Sequence, residues 1–315
     1  MSWWQSFLGL TEAQRAEAAI QKAAMKALEA GDIPPRARDR AERHANNPNA
    51  PFSSDLSVRE FLLTQEAGIE PISQVMGTSF NSVSLFGNYM GAWRFTGELE
   101  AVSKAQMQAR KVAVERMLIE AKVLGASGVI GVRIHARASN MGTRMTEFTA
   151  YGTAVRIPDY PKDREPFTCT LNGQDFWQLY KAGYVPKSVV MGLCTYYIYT
   201  NWGASYQMTG LFGIAGNQEV DHYSRRFIEA RKLAVQRLTN ELHDTGADGA
   251  IGMQIMHNIQ KIVRSEESRT FDLLVSFSAL GTAVDAGVPK EKSNRTICLN
   301  LAKGNRYSGV LANFR

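Results

Sequence analysis

Phe52 to Gly77 reads FSSDLSVREFLLTQEAGIEPISQVMG, and Phe167 to Gly192 reads FTCTLNGQDFWQLYKAGYVPKSVVMG. The two stretches run in register at a constant offset of 115, sharing Leu56/Leu171, Phe61/Phe176, Ala67-Gly68/Ala182-Gly183, Pro71/Pro186 and Met76-Gly77/Met191-Gly192. Further on, ARKVAVERMLIEAKVLGASGVIGVRI from Ala109 matches ARKLAVQRLTNELHDTGADGAIGMQI from Ala230 at an offset of 121, and YGTAV at Tyr151 matches LGTAV at Leu280 at 129. Several spaced motifs in one order, twice, make a duplicated unit. The drifting offset implies insertions in the second copy, most simply around Leu211–Asn217 and Lys261–Glu267, where loops are expected.

Each copy carries the same local instructions. Ser57-Val58-Arg59-Glu60 is a capping box, because the Ser hydroxyl and the Glu carboxylate can satisfy backbone donors at a helix start; Asn172 and Asp175 take those places in the second copy. Gly68 and Gly183 then fall where a helix ends in a left-handed residue. Gln74–Ser84 and Ser188–Thr200 are rich in β-branched and aromatic residues and read as strands. Long helices follow over about Val102–Leu124 and Asp221–Thr245, with apolar residues at steps of three and four, stopping at Gly125 and Gly246. VIGVRI and AIGMQI are short buried-looking strands, followed by polar hairpins and closing strands. The expected fold class is therefore α+β: two tandem small domains, each a long helix on a small antiparallel sheet, with a helical N-terminal extension. The expected organisation is 1–51 extension and linker, 52–158 first domain, 167–289 second domain and 290–315 basic tail.

The 315 residues, 44% hydrophobic and 21% charged, suit a globular chain of about two domains and exclude collagen, coiled coil and wholesale disorder. The net charge of +6 is unevenly placed: residues 51–286 hold 23 basic and 23 acidic side chains, while 287–315 hold 6 and 1. A neutral body with a basic tail lacks the stripe of charge on a folded face that nucleic acid requires. The absence of a basic leader and of a long apolar segment, with three cysteines, points to a cytoplasmic protein.

Ala109-Arg110-x-x-Ala113 with Arg116-Met117, its counterpart with Arg237-Leu238, the Gly-Ala-x-Gly segments at Gly125 and Gly246, and the terminal Gly-Thr-Ala-Val together resemble the YbjQ family, which carries a heavy-metal-binding label. The resemblance covers about Met76–Ile157 and Met191–Asp285. It implies a dodecin-like α/β subunit, assembly into pentameric rings, and no established reaction. Family members are commonly single-unit chains, so the duplication, the N-terminal helices and the tail are departures that bear on ring stoichiometry.

The chemistry-bearing residues are sparse. Three cysteines and five histidines show no CxxC, HxxxH or HExxH spacing. Glu219, Asp221 and His222 cluster where the second long helix begins and form a candidate divalent-metal site, against the bland reading that acidic residues favour a helix start. No nucleophile elbow or phosphate loop is present, so no enzyme activity and no resident cofactor are expected. Arg116/Glu120 and Arg237/Glu241 recur at i, i+4 and read as ion pairs or as interface residues; Trp202 and Tyr206, in an aromatic-rich stretch, are further interface candidates. Trp3, Trp4, Phe7, Leu8 and Leu10 could rest on a lipid surface or dock on protein. The expected partner is a second copy of the chain in a ring, with peripheral membrane contact through residues 1–10 as a weaker reading.

Overall fold

Gly77 lies so close to a helix that a Cβ on it would fall 2.0 Å from Ala113 O, and the matching Gly192 would meet Ala234 O at the same 2.0 Å. This shared contact organises both halves of the computed structural model, which describes residues 12–82, 96–138, 145–158, 160–161, 164–200, 221–265 and 270–285. The expectations for residues 1–10, Trp202, Tyr206, Leu211–Asn217, Glu219 and the basic tail lie outside these.

The described elements begin with α1 (Glu12–Glu29), which contributes no buried residue, and α2 (Pro35–Ala45). The first copy then comprises α3 (Val58–Glu66), β1 (Glu70–Ser82), β2 (Gly97–Glu98), α4 (Glu100–Val123), β3 (Gly128–Ala138) and β4 (Met145–Arg156). The second comprises β5 (Phe167–Thr168), α5 (Gly173–Lys181), β6 (Val185–Ile198), α6 (Asp221–Thr245), β7 (Gly249–Ser265) and β8 (Thr270–Asp285). One sheet has the order β1-β4-β3-β5 and the other β2-β6-β8-β7. The fold is α+β, as the motifs implied.

The local instructions are obeyed. Ser57 and Glu60 form the reciprocal capping box, and Asn172 accepts from the Asp175 N–H at 2.8 Å. Gly68 and Gly183 sit at φ 70° and 84°, a region open mainly to glycine. Gly131 and Gly252, at φ 65° and 63°, mark matching register shifts in β3 and β7.

Two boundaries differ from expectation. The strands β1 and β6 start before Gln74 and Ser188 and run through Pro71 and Pro186, because register shifts between Pro71/Ser73 and Pro186/Val189 accommodate residues without an N–H. The insertion at Lys261–Glu267 is not simply a loop. Lys261 to Ser265 continue β7 and pair with β8 from Leu273 back to Thr270, so extra residues lengthen both arms of the hairpin, with a register shift between Val263 and Ser265.

The halves are stacked in layers: α6, the β6-β8-β7 sheet, α4, then the β1-β4-β3 sheet. Alternation in β6 explains the order. Cys194, Tyr196 and Ile198 pack with Ala230 and Ala234 of α6, while Val189 and Met191 join Ala113, Met117 and Ala121 of α4 in another core. A strand covered on both faces has no polar face to show, and β6 is buried almost throughout. The charged stretch at Pro35–Ala45 is not free in solvent, since Ala41 is buried in the α4 core.

Candidate functional site

The features that distinguish this chain from two separate domains lie along the seam between its copies. Phe167–Leu171, which leads into the second copy, runs parallel to the edge of the first copy's β3. Cys169 donates its N–H to Val129 O at 2.9 Å, and Gly131 and Val132 donate to Leu171 O and Cys169 O at 2.9 Å. This added strand covers a sheet edge that would otherwise offer unmatched backbone groups. Behind it, Phe167, Cys169 and Phe176 are buried against Ile69, Ile130 and Val155 of the first copy. The Phe167 ring occupies the place of a side chain at Gly128, whose Cβ would fall 2.4 Å from it. Helices α3 and α5 meet alongside, with Lys181 pairing Glu66 at 3.0 Å.

The exchange is reciprocated on the far side. The first copy's β2 pairs with β6, and Ser103 accepts from the Thr195 N–H at 2.9 Å. Arg237 forms a two-pronged ion pair with Glu98, its second contact at 2.9 Å, while donating to Leu193 O at 2.7 Å. Burial pushes the Glu98 carboxyl up, but hydrogen bonds from Arg237 and Ser103 and the Arg237 charge outweigh it and hold the group below the usual carboxylate range.

Neither repeated Arg/Glu pair is the i, i+4 ion pair that spacing suggests. Arg116 donates to Thr78 O at 2.7 Å and Leu28 O at 3.0 Å, while Glu120 accepts from the Met76 N–H at 2.9 Å and pairs with Arg40. In the second copy Glu241 accepts from the Met191 N–H at 2.7 Å. The glycine at position 77 or 192 brings the strand backbone against the helix, and the long side chains on either side then satisfy strand groups that the close approach would leave without water. Arg237 does serve the seam, through Glu98.

Other groups show structural roles. Burial pushes the Cys169 and Cys194 thiols up to about 12, leaving both as thiols at neutral pH and unfit as nucleophiles. His222 Nε2 lies 3.1 Å from Tyr199 O, and Asp221 lies 3.9 Å from Arg225. Among the described residues no three His, Cys, Asp or Glu side chains are grouped to hold a metal ion. A cavity of about 40 Å³ lies at the seam between Asp55, Glu60, Gly131, Arg133, Thr170 and Gly173. Asp55 Oδ1 accepts from Thr153 at 2.7 Å, whereas its buried Oδ2 has no hydrogen bond among the described residues and lies 3.9 Å from Arg133. Room for one or two waters is far below the ~300 Å³ of an ordinary ligand site. No helix among the described residues is long and apolar enough to cross a membrane.

The seam residues Phe167, Gly128 and Glu98 escaped the reading of single-residue chemistry, since none carries a catalytic signature. Their recurrence at equivalent places, Phe52 and Gly249 in particular, was the available signal.

Comparison with known proteins agrees with this architecture. The YbjQ family profile, described as "Putative heavy-metal-binding", matches residues 64–158. The encapsulin nanocompartment protein Rv1762c of Mycobacterium tuberculosis is 36% identical over 207 residues, covering 64% of this chain and 76% of the relative. UPF0145 proteins of Clostridium novyi and Thermoplasma acidophilum are 38% and 36% identical over 91 and 93 residues, which is 28% and 29% of this chain but 86% and 76% of theirs. This chain therefore belongs to the YbjQ family of UPF0145 proteins, with the family's unit present twice.

Proposed function

We propose that this protein is a non-enzymatic assembly module, whose two YbjQ units form part of a closed ring that serves as a scaffold or binding surface. The observation that supports this most is the kind of contact the two copies make. The second copy's leading segment covers the edge of the first copy's β3, so unlike surfaces of like units meet head to tail. Contacts of that kind generate rings when the rotation closes. The high thiol pKa values and the small seam cavity fit a structural role better than a catalytic one. Light scattering at micromolar concentration should find a mass well above the 34.9 kDa of one chain; a monomer overturns the reading.

A second reading is favoured by one relative, named for an encapsulin nanocompartment. On that reading the ring works in company with an encapsulin shell. Co-expression with a shell from the same genome and sedimentation of the intact compartment test it; this protein remaining in the light fraction removes it. The family's metal label makes divalent-ion binding the third reading, with Glu219, Asp221 and His222 as starting points. Metal analysis of the purified protein and calorimetry with Zn, Cu and Ni decide it, and no bound metal with no heat sinks it.

A further inference from the structure

Resting on the assembly reading above, we infer which surfaces carry the assembly: the Phe52–Glu66 segment of one chain docks on the β7 edge and α5 of a second copy, repeating between molecules the seam that Phe167–Lys181 makes within one.

Equivalent positions on the occupied seam and on the two open ends differ in burial. Phe167 and Phe176 stack at 5.5 Å, and Phe52 and Phe61 stack at 5.2 Å, so the same aromatic pair is prepared twice. Within the chain the first-named pair is buried, Phe167 being 2% exposed, yet Phe52 is 54% exposed. That is the donor surface without an acceptor. On the other end, Ile69 of the first copy is fully buried beneath the seam, whereas its counterpart Tyr184 is 43% exposed. That is the acceptor surface without a donor.

The backbone carries the same message. In the first sheet the β3 edge is closed by β5, while among the described residues the equivalent β7 ends its sheet. Met253, Ile255, Met256 and Ile259 along it are exposed, a long apolar edge of the sort that invites another strand. Gly128 has no side chain because the Phe167 ring takes that space; its counterpart Gly249 is also glycine, and among the described residues nothing lies within 4 Å of where its Cβ would be. The notch exists at both places and is filled at one. In the second copy of the seam, the Phe52 ring fills the Gly249 notch and Phe52–Leu56 runs along β7 from its beginning. Val58 stands where the second copy has Gly173, a residue whose Cβ would come within 2.9 Å of Glu60 Cβ. The neighbour's α3 therefore sits somewhat further from α5 than α5 sits from α3 inside the chain.

Because donor and acceptor are different surfaces, two one-sided variants test the arrangement in the full-length protein by native mass spectrometry. Phe52→Asp disables the donor; Val58→Arg, at a side chain more exposed still, is its second version. Gly249→Leu plugs the notch in space that is open among the described residues of the single chain. Each variant should melt as a folded chain and fail to assemble, and an equimolar mixture of donor-disabled and acceptor-disabled protein should give a species of two chains and nothing larger, since one intact end of each kind remains. If wild type assembles but both donor variants, each alone, or the Gly249 variant alone still assemble to the wild-type size, or the mixture yields no two-chain species, the inference is overturned while the ring reading stands. If wild type itself is a monomer, the ring reading and the inference with it fall.

Discussion

Gly77 and Gly192 bear the sharpest steric demand among the described residues. An added methyl at Gly77 would fall 2.0 Å from Ala113 O and 2.5 Å from Met117 N, atoms of a helix backbone that cannot turn aside. Gly77→Ala or Gly192→Ala should cost about 2 kcal/mol or more in denaturant unfolding, by forcing helix and strand apart. Two carboxylates should respond to pH with opposite signs. Glu98 is held below the usual range, so its folded state sheds the proton more readily than the unfolded state; its contribution is present above the ordinary carboxylate pKa and lost as pH falls through the lower folded value. Burial raises Glu241, although the Met191 N–H opposes it, so the folded state holds its proton more tightly and stability falls as pH rises through the ordinary range towards the raised value. Stability curves against pH should therefore lose acid sensitivity in Glu98→Gln. They should gain at neutral pH in Glu241→Gln, whose amide oxygen still accepts from Met191.

At the scale of elements, the seam makes one copy's leading segment part of the other copy's sheet. Phe176 is fully buried in the seam cluster, so Phe176→Ala should cost about 3 kcal/mol by leaving a cavity there. The two thiols offer an independent readout. With Cys169 and Cys194 buried and raised to about 12, neither should be alkylated by iodoacetamide in the native protein near pH 8, and peptide mass spectrometry should find both modified after denaturation. Rapid native labelling of either would mean that its strand opens. The element pattern itself was legible in the sequence because capping residues, glycine stops and helical periodicity act within a few residues of chain. The lengthened β7–β8 hairpin was less so: an insertion shows only that residues were added, and whether they pair depends on the strand opposite.

For the whole molecule, the duplication constrains stoichiometry by parity. Each chain brings two units, so a ring of intact chains contains an even number of units, and the five-unit ring that the family resemblance suggests cannot be made of whole chains with every unit used. Five chains would give ten units. Native mass spectrometry, read in multiples of 34.9 kDa, gives the number of chains, and a closed ring that uses both copies of every chain contains twice that number of units. Crosslinking within the assembly should join residues near Phe52 to residues near Gly249 of a neighbour.

The sequence by itself determined the unit, its repetition, the α+β class and the ends of most elements, because each follows from local stereochemistry or from self-similarity written along the chain. It also marked Arg116, Glu120, Arg237 and Glu241 as special, as ion pairs or as interface residues, without naming the groups they meet. Only the tertiary structure decided that Arg116 and Arg237 donate to strand carbonyls, that Glu120 and Glu241 receive strand N–H groups, and that Glu98 reaches across the seam to Arg237. The physical reason is that sequence spacing fixes which residues share a helix face, whereas the partner of a face is set by what the fold packs against it. In a duplicated chain that ambiguity is greatest, since either copy could supply the strand, and the burial of Phe167 beside the exposure of Phe52 is settled by packing alone.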